Sequence, residues 1–407
     1  MSWRQSGLAT IAAMTAIAPN TLTCIEDLRQ LARRRVPRMF YDYVDSGSWT
    51  ETTYRANEHD FARIRLRQRV AVDMDNRSTA VKMVGQDAAM PVAIAPTGLT
   101  GMQHADGEIL AARAAERFGV PFTLSTMSIC SIEDVAAATT KPFWFQLYVM
   151  RDRDFVARLI ERAKAARCSA LVLTLDLQIL GQRHKDLKNG LSVPPRLTLA
   201  HLLQMAARPR WCLGMLGTPR REFRNIVGHV QGVDDMRSLG EWTARQFDPR
   251  LNWDDVAWIK KRWGGRLILK GIMAPEDARC AVDAGADALV VSNHGGRQLD
   301  GALSTARALP AIADAVGGDL AVLVDGGVRS GLDVVRMLAL GAKAVLLGRV
   351  WPYALAAGGQ AGVSHMLALI EAEMRVVMAL TGVTSVSRID RSLLTDGGVQ
   401  ASSAVPA

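Results

Sequence analysis

The stretch ALVVSNHGGRQLDG, residues 288–301, sets His294 and Arg297 three positions apart on a glycine-loosened turn. A histidine there can take up a proton near neutral pH. An arginine beside it can grip a carboxylate through two parallel hydrogen bonds. The competing reading of the same residues is a polar strand-to-helix loop with one satisfied histidine. Asp176, in TLD, offers a carboxylate that could fix the tautomer of His294 and stabilise its imidazolium. Arg183 could join Arg297 on one substrate carboxylate, and Tyr43 and Tyr148 could add hydroxyl donors. Lys270 closes the apolar run LILK, where an unpaired ammonium is costly to bury. It reads either as a Schiff-base amine, as in an aldolase, or as a fixed cation beside a cofactor that turns negative during turnover. DGGVRSG (325–331) and LGR (347–349) expose backbone N–H groups and add Arg329 and Arg349, a combination suited to a phosphate. The seven histidines are dispersed and none stands at zinc-ligand spacing, so no metal site is expected.

Such residues need elements that bring them together. Short runs rich in Val, Ile and Leu begin at Val92, Phe122, Phe143, Ala170, Arg266, Ala288, Ala321 and Ala344. Amphipathic helices separate most of them, for example after Pro275 and after Ser330. Eight strand–helix units close most economically as a (β/α)8 TIM barrel, an α/β fold. An open doubly wound sheet usually shows an early G-x-G-x-x-G turn, which is absent. The runs end at Thr97-Gly98, Ser125-Thr126, Gln146 and Tyr148, Thr174 and Asp176, Lys270, Ser292 and His294, Asp325-Gly326-Gly327, and Gly348-Arg349. In a barrel these ends converge on one rim, where barrel enzymes place their chemistry.

Around the barrel, residues 23–49 read as N-terminal helices, the first capped by Thr23 and broken at Pro37, with Phe40 and Tyr41 as core aromatics. A long insertion after strand 4, about 185–252, is expected to be functional or interfacial. Its apolar part, Leu197 to Ala207 beside Arg208 and Arg210, is too short to span a bilayer and suits a membrane surface, the barrel mouth or a neighbouring subunit. Residues 1–22 read as a flexible leader, with a weak signal peptide as the alternative, and 393–407 as a flexible tail. That leaves one domain over 23–392. The net charge of +9 is scattered rather than blocked, which speaks against a nucleic-acid arm and suits anionic ligands. Five dispersed cysteines fit a reducing cytoplasm.

SNHGGRQLDG, PFWFQLYVMRDR, VAIAPTG, PFTLST, LILKG and DGGVRSG together resemble the FMN-dependent α-hydroxy-acid oxidases and dehydrogenases, over about Cys24 to Ser392. The bacterial respiratory L-lactate dehydrogenases are the most similar branch. The resemblance implies FMN as cofactor, a small 2-hydroxy acid as substrate, and a homotetramer. It makes His294 the base, Asp176 its partner, and Arg183, Arg297, Tyr43 and Tyr148 the substrate contacts. It places Ala95, Pro96, Thr97, Gly98, Ser125, Gln146, Thr174, Lys270 and Ser292 around the flavin ring. Asp325, Gly326, Gly327, Val328, Arg329, Gly348 and Arg349 fall at the phosphate. Four positions depart from the common pattern. Gly98 replaces an alanine common in the oxidases, which favours a dehydrogenase passing electrons to a quinone or cytochrome over an oxidase releasing hydrogen peroxide. Met127 replaces a bulky aromatic, and Gln178 and Gln182 replace Pro and Arg. The implied location is cytoplasmic, with peripheral contact at the inner face of the plasma membrane.

Overall fold

All eight apolar runs form parallel strands. The computed structural model describes residues 21–191, 198–230 and 246–395. A small hairpin, β1 (Val81–Met83) and β2 (Gln86–Ala88), precedes β3 (Val92–Ile94), β4 (Thr123–Ser125), β5 (Trp144–Tyr148) and β6 (Ala170–Thr174). After the insertion come β7 (Arg266–Ile272), β8 (Ala288–Val291), β9 (Ala321–Val324) and β10 (Ala344–Leu347). The sheet runs β3-β10-β9-β8-β7-β6-β5-β4, and a parallel bridge from Ile94 to Phe122 brings its two edges together. This is a (β/α)8 barrel, with two strands beginning one residue later than the expected Phe122 and Phe143.

Both faces of the sheet are buried, which is why the strands read as near-continuous apolar runs. Outward residues such as Leu171, Leu173, Leu267, Leu269, Val322 and Val324 join the main core beneath the helices. Inward residues form a separate cluster: Ala93, Trp144, Ala170, Val172, Ile268, Ala288, Val290, Leu323, Ala344 and Leu346. The hairpin closes the lower end of that interior. Met83 and Ala88 pack into the cluster, the Trp144 indole N–H donates to Gln86 at 3.0 Å, and the Arg266 guanidinium donates to the carbonyl of Val84. The other end stays open, and there the inward positions turn polar.

The N-terminal helices lie across that open end. The first, Ile25–Arg35, is capped by Cys24 rather than by Thr23. The backbone N–H groups of both residues donate to Asp27, at 3.2 and 2.8 Å. The second helix, Arg38–Val44, starts after Pro37 as expected. Tyr41 is buried, and Phe40 stacks on Trp211 of the insertion with ring centroids 5.5 Å apart. At the other terminus the chain stays packed beyond the expected boundary at 393. Leu393 and Leu394 are buried and Leu394 pairs with Leu66. Residues 1–20 of the leader and 396–407 of the tail lie outside the described residues.

The insertion carries helices His184–Lys188, Leu199–Ala206 and Pro209–Gly217. Within it 192–197 and 231–245 lie outside the described residues. It is fixed to the rim by the Trp211 indole N–H on the carbonyl of Met102 (2.8 Å) and by Arg220 between Asp106 (3.1 Å) and Asp134 (3.0 Å).

One carboxylate ties the covering helices to the barrel. Asp45 accepts from Arg29 through both guanidinium arms (3.1 and 2.9 Å), and from Tyr41 (3.0 Å), Tyr54 (3.2 Å) and Tyr353 (2.6 Å). Burial alone would raise its carboxyl. The Arg29 fork and the tyrosine hydroxyls outweigh burial and hold it at about 2, against 3.8 unperturbed. A depressed carboxylate stabilises the fold above its unfolded pKa and loses that contribution as pH falls through its folded one. Asp45→Asn is therefore expected to cost about 2 kcal/mol at neutral pH. Urea unfolding of both proteins checks this, and the gap should close as pH drops from 4 toward 2.

Candidate active site

Inward-facing positions of a strand recur every second residue. Trp144 is followed by Gln146 and Tyr148; Ala170 and Val172 by Thr174 and Asp176. In the same way Ile268 leads to Lys270, Ala288 and Val290 to Ser292 and His294, Leu323 to Asp325, and Leu346 to Gly348. The packed interior and the polar rim are thus successive layers of one pattern.

These ends surround a cleft of about 520 Å³. Tyr43, Ala95, Pro96, Thr97, Gly98, Tyr148, Arg183, Lys270, His294 and Arg297 line it. So do Asp325, Gly326, Gly327, Val328, Arg329, Gly348 and Arg349. Five expected residues do not line it and act from behind. The Ser125 hydroxyl donates to Gln146 (3.1 Å), whose amide N–H donates to Thr174 (3.0 Å), a buried chain two residues short of the lining Met127 and Tyr148. Ser292 accepts from Lys270 (2.9 Å) and from the backbone N–H of His294 (3.1 Å). Asp176 stands behind His294.

His294 adopts φ +57°, a left-handed conformation rare for a non-glycine residue, in the turn with Gly295 and Gly296. Its Nδ1–H donates to Asp176 Oδ1 at 2.9 Å, which leaves the Nε2 lone pair as the free ring nitrogen. Burial pushes the imidazole pKa down, Asp176 pulls it up, and the nearby Lys270 charge pulls it down again; the net shift is downward. The ring is thus a neutral base at pH 7. Burial acts against ionised Asp176, but His294 and Lys270 prevail and hold it below the ordinary carboxylate range.

Lys270 meets Asp325 at 3.2 Å. Burial lowers its pKa, Asp325 and Asp176 raise it, and the balance is upward. It is an ammonium, whereas a Schiff-base lysine needs a depressed pKa. The fixed-cation reading fits this geometry.

Two arginines reach the cleft from the covering helix's C-terminal carbonyls. Arg297 donates to the carbonyls of Tyr43 (2.5 Å) and Ser46 (3.1 Å), and its guanidinium lies 4.8 Å above the Tyr43 ring. Arg349 donates to the carbonyls of Val44 (3.0 Å) and Ser46 (2.6 Å) and lies 4.5 Å above the Tyr54 ring. Arg183 is held by the Arg297 carbonyl and Gln298, each at 3.3 Å. Arg329 pairs with Glu58 at 2.7 Å.

The cleft fits a flavin phosphate. Its volume is that of a cofactor site. Gly327 has φ +79°, and a Cβ there would fall 1.9 Å from the Asn57 carbonyl oxygen, so the turn is pressed against helix Thr52–His59. A Cβ on Gly348 would meet nothing within 4 Å, so that space belongs to the cleft. Asp325 Oδ1 is buried without a hydrogen-bond partner among the described residues. Of the atypical positions, Gly98 lets Met127 and Tyr43 close in: a Cβ would lie 3.0 Å from the Met127 carbonyl and 3.3 Å from the Tyr43 hydroxyl. Gln178 donates to the Leu251 carbonyl (2.7 Å), joining the two ends of the insertion, and the Gln182 carbonyl accepts from Trp49 (2.8 Å).

Sequence reasoning missed four contributors. Asp186 lines the cleft beside Arg297, and its place three residues after Arg183 on a short helix was a usable signal. Asn57 and Asn293 bond each other reciprocally at 2.9 Å, and Glu58 holds Arg329; nothing in the local pattern marks these.

The profile of the FMN-dependent dehydrogenases matches residues 32–396. The chain is 52% identical over 374 residues to L-lactate dehydrogenase of Caulobacter vibrioides, covering 91% of this chain and 97% of the relative. It is 52% identical over 376 residues to L-lactate dehydrogenase of Xanthomonas campestris pv. campestris, covering 92% and 97%. Among solved structures, the monotopic membrane protein (S)-mandelate dehydrogenase superposes with a TM-score of 0.88 at 36% identity, covering 92% and 99%. A mandelate oxidase bound to (S)-4-hydroxymandelic acid gives 0.77 at 39% identity, covering 92% and 98%.

Filling the space at Gly348 tests the phosphate end. Gly348→Val should fold normally, since a Cβ there meets nothing within 4 Å. Its affinity for FMN should fall about 100-fold, roughly 2.7 kcal/mol. Flavin absorbance per mole of purified protein and equilibrium titration with FMN check this.

Proposed function

The chain belongs to the FMN-dependent dehydrogenase family, and from that premise we propose that it oxidises L-lactate, or a closely related L-2-hydroxy acid, to the 2-keto acid and passes the electrons to a quinone or a cytochrome. The observation that carries this reading is the pairing, in one cleft, of a neutral His294 backed by Asp176 with an Arg297 whose Nη2 has no hydrogen-bond partner among the described residues.

Arg297 and Arg183 take the substrate carboxylate and so orient C2 and its hydroxyl. Tyr43 and Tyr148 supply hydroxyl donors; burial raises the Tyr148 phenol, which keeps it protonated as a donor should be. His294 Nε2 accepts a proton from the substrate, from the hydroxyl or from C2, and Asp176 stabilises the imidazolium that results. Ala95 to Gly98 and Lys270 would hold the flavin ring, with Ser125, Gln146, Thr174 and Ser292 supporting them from behind. Asp325 to Arg329, Gly348 and Arg349 would hold the phosphate. FMN, when bound, supplies the two-electron acceptor. Lys270 offers a fixed positive charge for the negative charge that develops beside it.

The acceptor assignment draws on the insertion. Leu199, Leu202, Leu203, Leu213 and Leu216 are all more than half exposed on its two longer helices, with Arg208 and Arg210 beside them. Among the described residues no helix is long and apolar enough to cross a membrane. Peripheral contact at the inner face of the plasma membrane, by a homo-oligomer such as a tetramer, would place the cleft near a quinone pool.

Anaerobic L-lactate should bleach the bound flavin, and the reduced holoprotein should reoxidise faster with a soluble quinone than with air-saturated buffer. Rapid reoxidation by air with peroxide release would make it an oxidase instead. His294→Gln should keep its flavin and lose about 10²- to 10⁴-fold in turnover. In the wild type kcat/KM should climb with pH along an acid limb, because His294 must be neutral. Its burial places that limb below the 6.5 of a free imidazole, as a pH–rate profile would read.

A further inference from the structure

Arg297 enters the cleft with half of its fork committed and half open. Nη1 donates to the carbonyls of Tyr43 and Ser46 and to the Ser46 hydroxyl (2.9 Å), while the Tyr43 ring supports the guanidinium face. Nη2 is buried and has no hydrogen-bond partner among the described residues. The nearest anion is Asp186, whose Oδ2 stands 3.7 Å from Nη2, inside ion-pair range but too far for a hydrogen bond. Asp186 is 9% exposed, lines the cleft, and its Oδ1 is also buried without a partner. Burial pushes its carboxyl up by more than the pull of Arg297 and Arg183 brings it down.

Nη1 and the Tyr43 ring already fix the guanidinium plane, so Asp186 is not needed to orient it. What Asp186 adds is negative charge beside Nη2, the nitrogen without a hydrogen-bond partner among the described residues that a ligand carboxylate would take. We propose that Asp186 is a built-in competitor for the substrate carboxylate on Arg297, loosening the grip on hydroxy acid and keto acid alike and so setting KM and product release rather than the chemical step. The proposal rests on the reading of Arg297 as the carboxylate clamp. The segment that begins at Arg183 thereby delivers one clamp arginine and, three residues later, the charge that moderates the other. Loosening that acts equally on the ground and transition states raises KM without lowering kcat, and a weaker hold on product shortens its residence.

The test compares wild-type holoprotein with Asp186→Asn and Asp186→Glu, using propanoate as probe. Propanoate carries the carboxylate but lacks the 2-hydroxyl, so it reports on the clamp without turnover, through perturbation of the bound flavin's visible spectrum. Asparagine preserves the shape of Asp186, and flavin content verifies folding. Asp186→Asn is expected to bind propanoate about 5- to 50-fold tighter. Its KM for L-lactate should fall by a similar factor, with kcat unchanged or lower, while Asp186→Glu stays near wild type. Equal or weaker propanoate binding by Asp186→Asn overturns the proposal and makes Asp186 a support for Arg297. If wild-type holoprotein binds no propanoate at all, the carboxylate clamp itself is wrong, and the lactate reading falls together with this inference.

Discussion

The site depends on the end of one seven-residue helix. Arg38–Val44 finishes at the barrel mouth, and the carbonyls of Tyr43, Val44 and Ser46 take N–H groups from both Arg297 and Arg349. Helix C-termini carry unsatisfied carbonyls and partial negative charge, so two guanidinium groups are a natural partner there. Each arginine is held along one side and lines the cleft. One corner of backbone thus holds two guanidinium groups at the cleft at once. Asp45 lies inside this corner and is bound by Arg29 and by three tyrosine hydroxyls, Tyr41 of the same helix and Tyr54 and Tyr353 of two others. A barrel without its N-terminal cover would keep the histidine and the lysine but would have nowhere to rest either arginine.

Charge is distributed across the cleft so that each group holds the protonation state its position requires. Lys270 stays cationic because Asp325 and Asp176 both face it. That same cation, with burial, keeps His294 neutral even though a carboxylate touches its ring. Asp176 would therefore stabilise an imidazolium only once a proton arrives, the property the proposed base needs. The deep interior beneath is apolar, and the transition from hydrocarbon to ionised groups takes one inward-facing step per strand.

That step explains what could be read from the sequence. Strand starts at Val92, Ala170, Arg266, Ala288, Ala321 and Ala344 were legible because parallel barrel strands, buried on both faces, are uninterrupted apolar runs. Lys270 and His294 stood out as ionisable residues at the ends of such runs. A two-residue periodicity, traced one step past each apolar segment, would have separated cleft-facing from buried-support positions only in part, since Ser125, Gln146 and Thr174 share the parity yet bond one another behind the lining. Contacts between distant segments were illegible: no local pattern marks Asn57 as the partner of Asn293, or Asp45 as the meeting point of four elements. The first helix's cap is hard to read because Thr23 and Cys24 both donate backbone N–H groups to Asp27, while the extended backbone and the capping box with Asp27 belong to Cys24.

The insertion obeys a different constraint from the barrel. Its inner side is fixed by a stacked Trp211 and by Arg220 between two aspartates, which gives the segment a definite orientation. Its outer side leaves five leucines in contact with water. Each fully buried leucine gains about 1.5–3 kcal/mol, so an apolar surface that covered this side would gain several of these. Scattered exposed leucines need no explanation on a globular protein. Five on two consecutive helices, with Arg208 and Arg210 between them in the chain, are more concentrated than that. Leu180, Leu187 and Leu191, which precede those helices in the chain, line the cleft, so apolar residues of this segment reach the site as well as the surface.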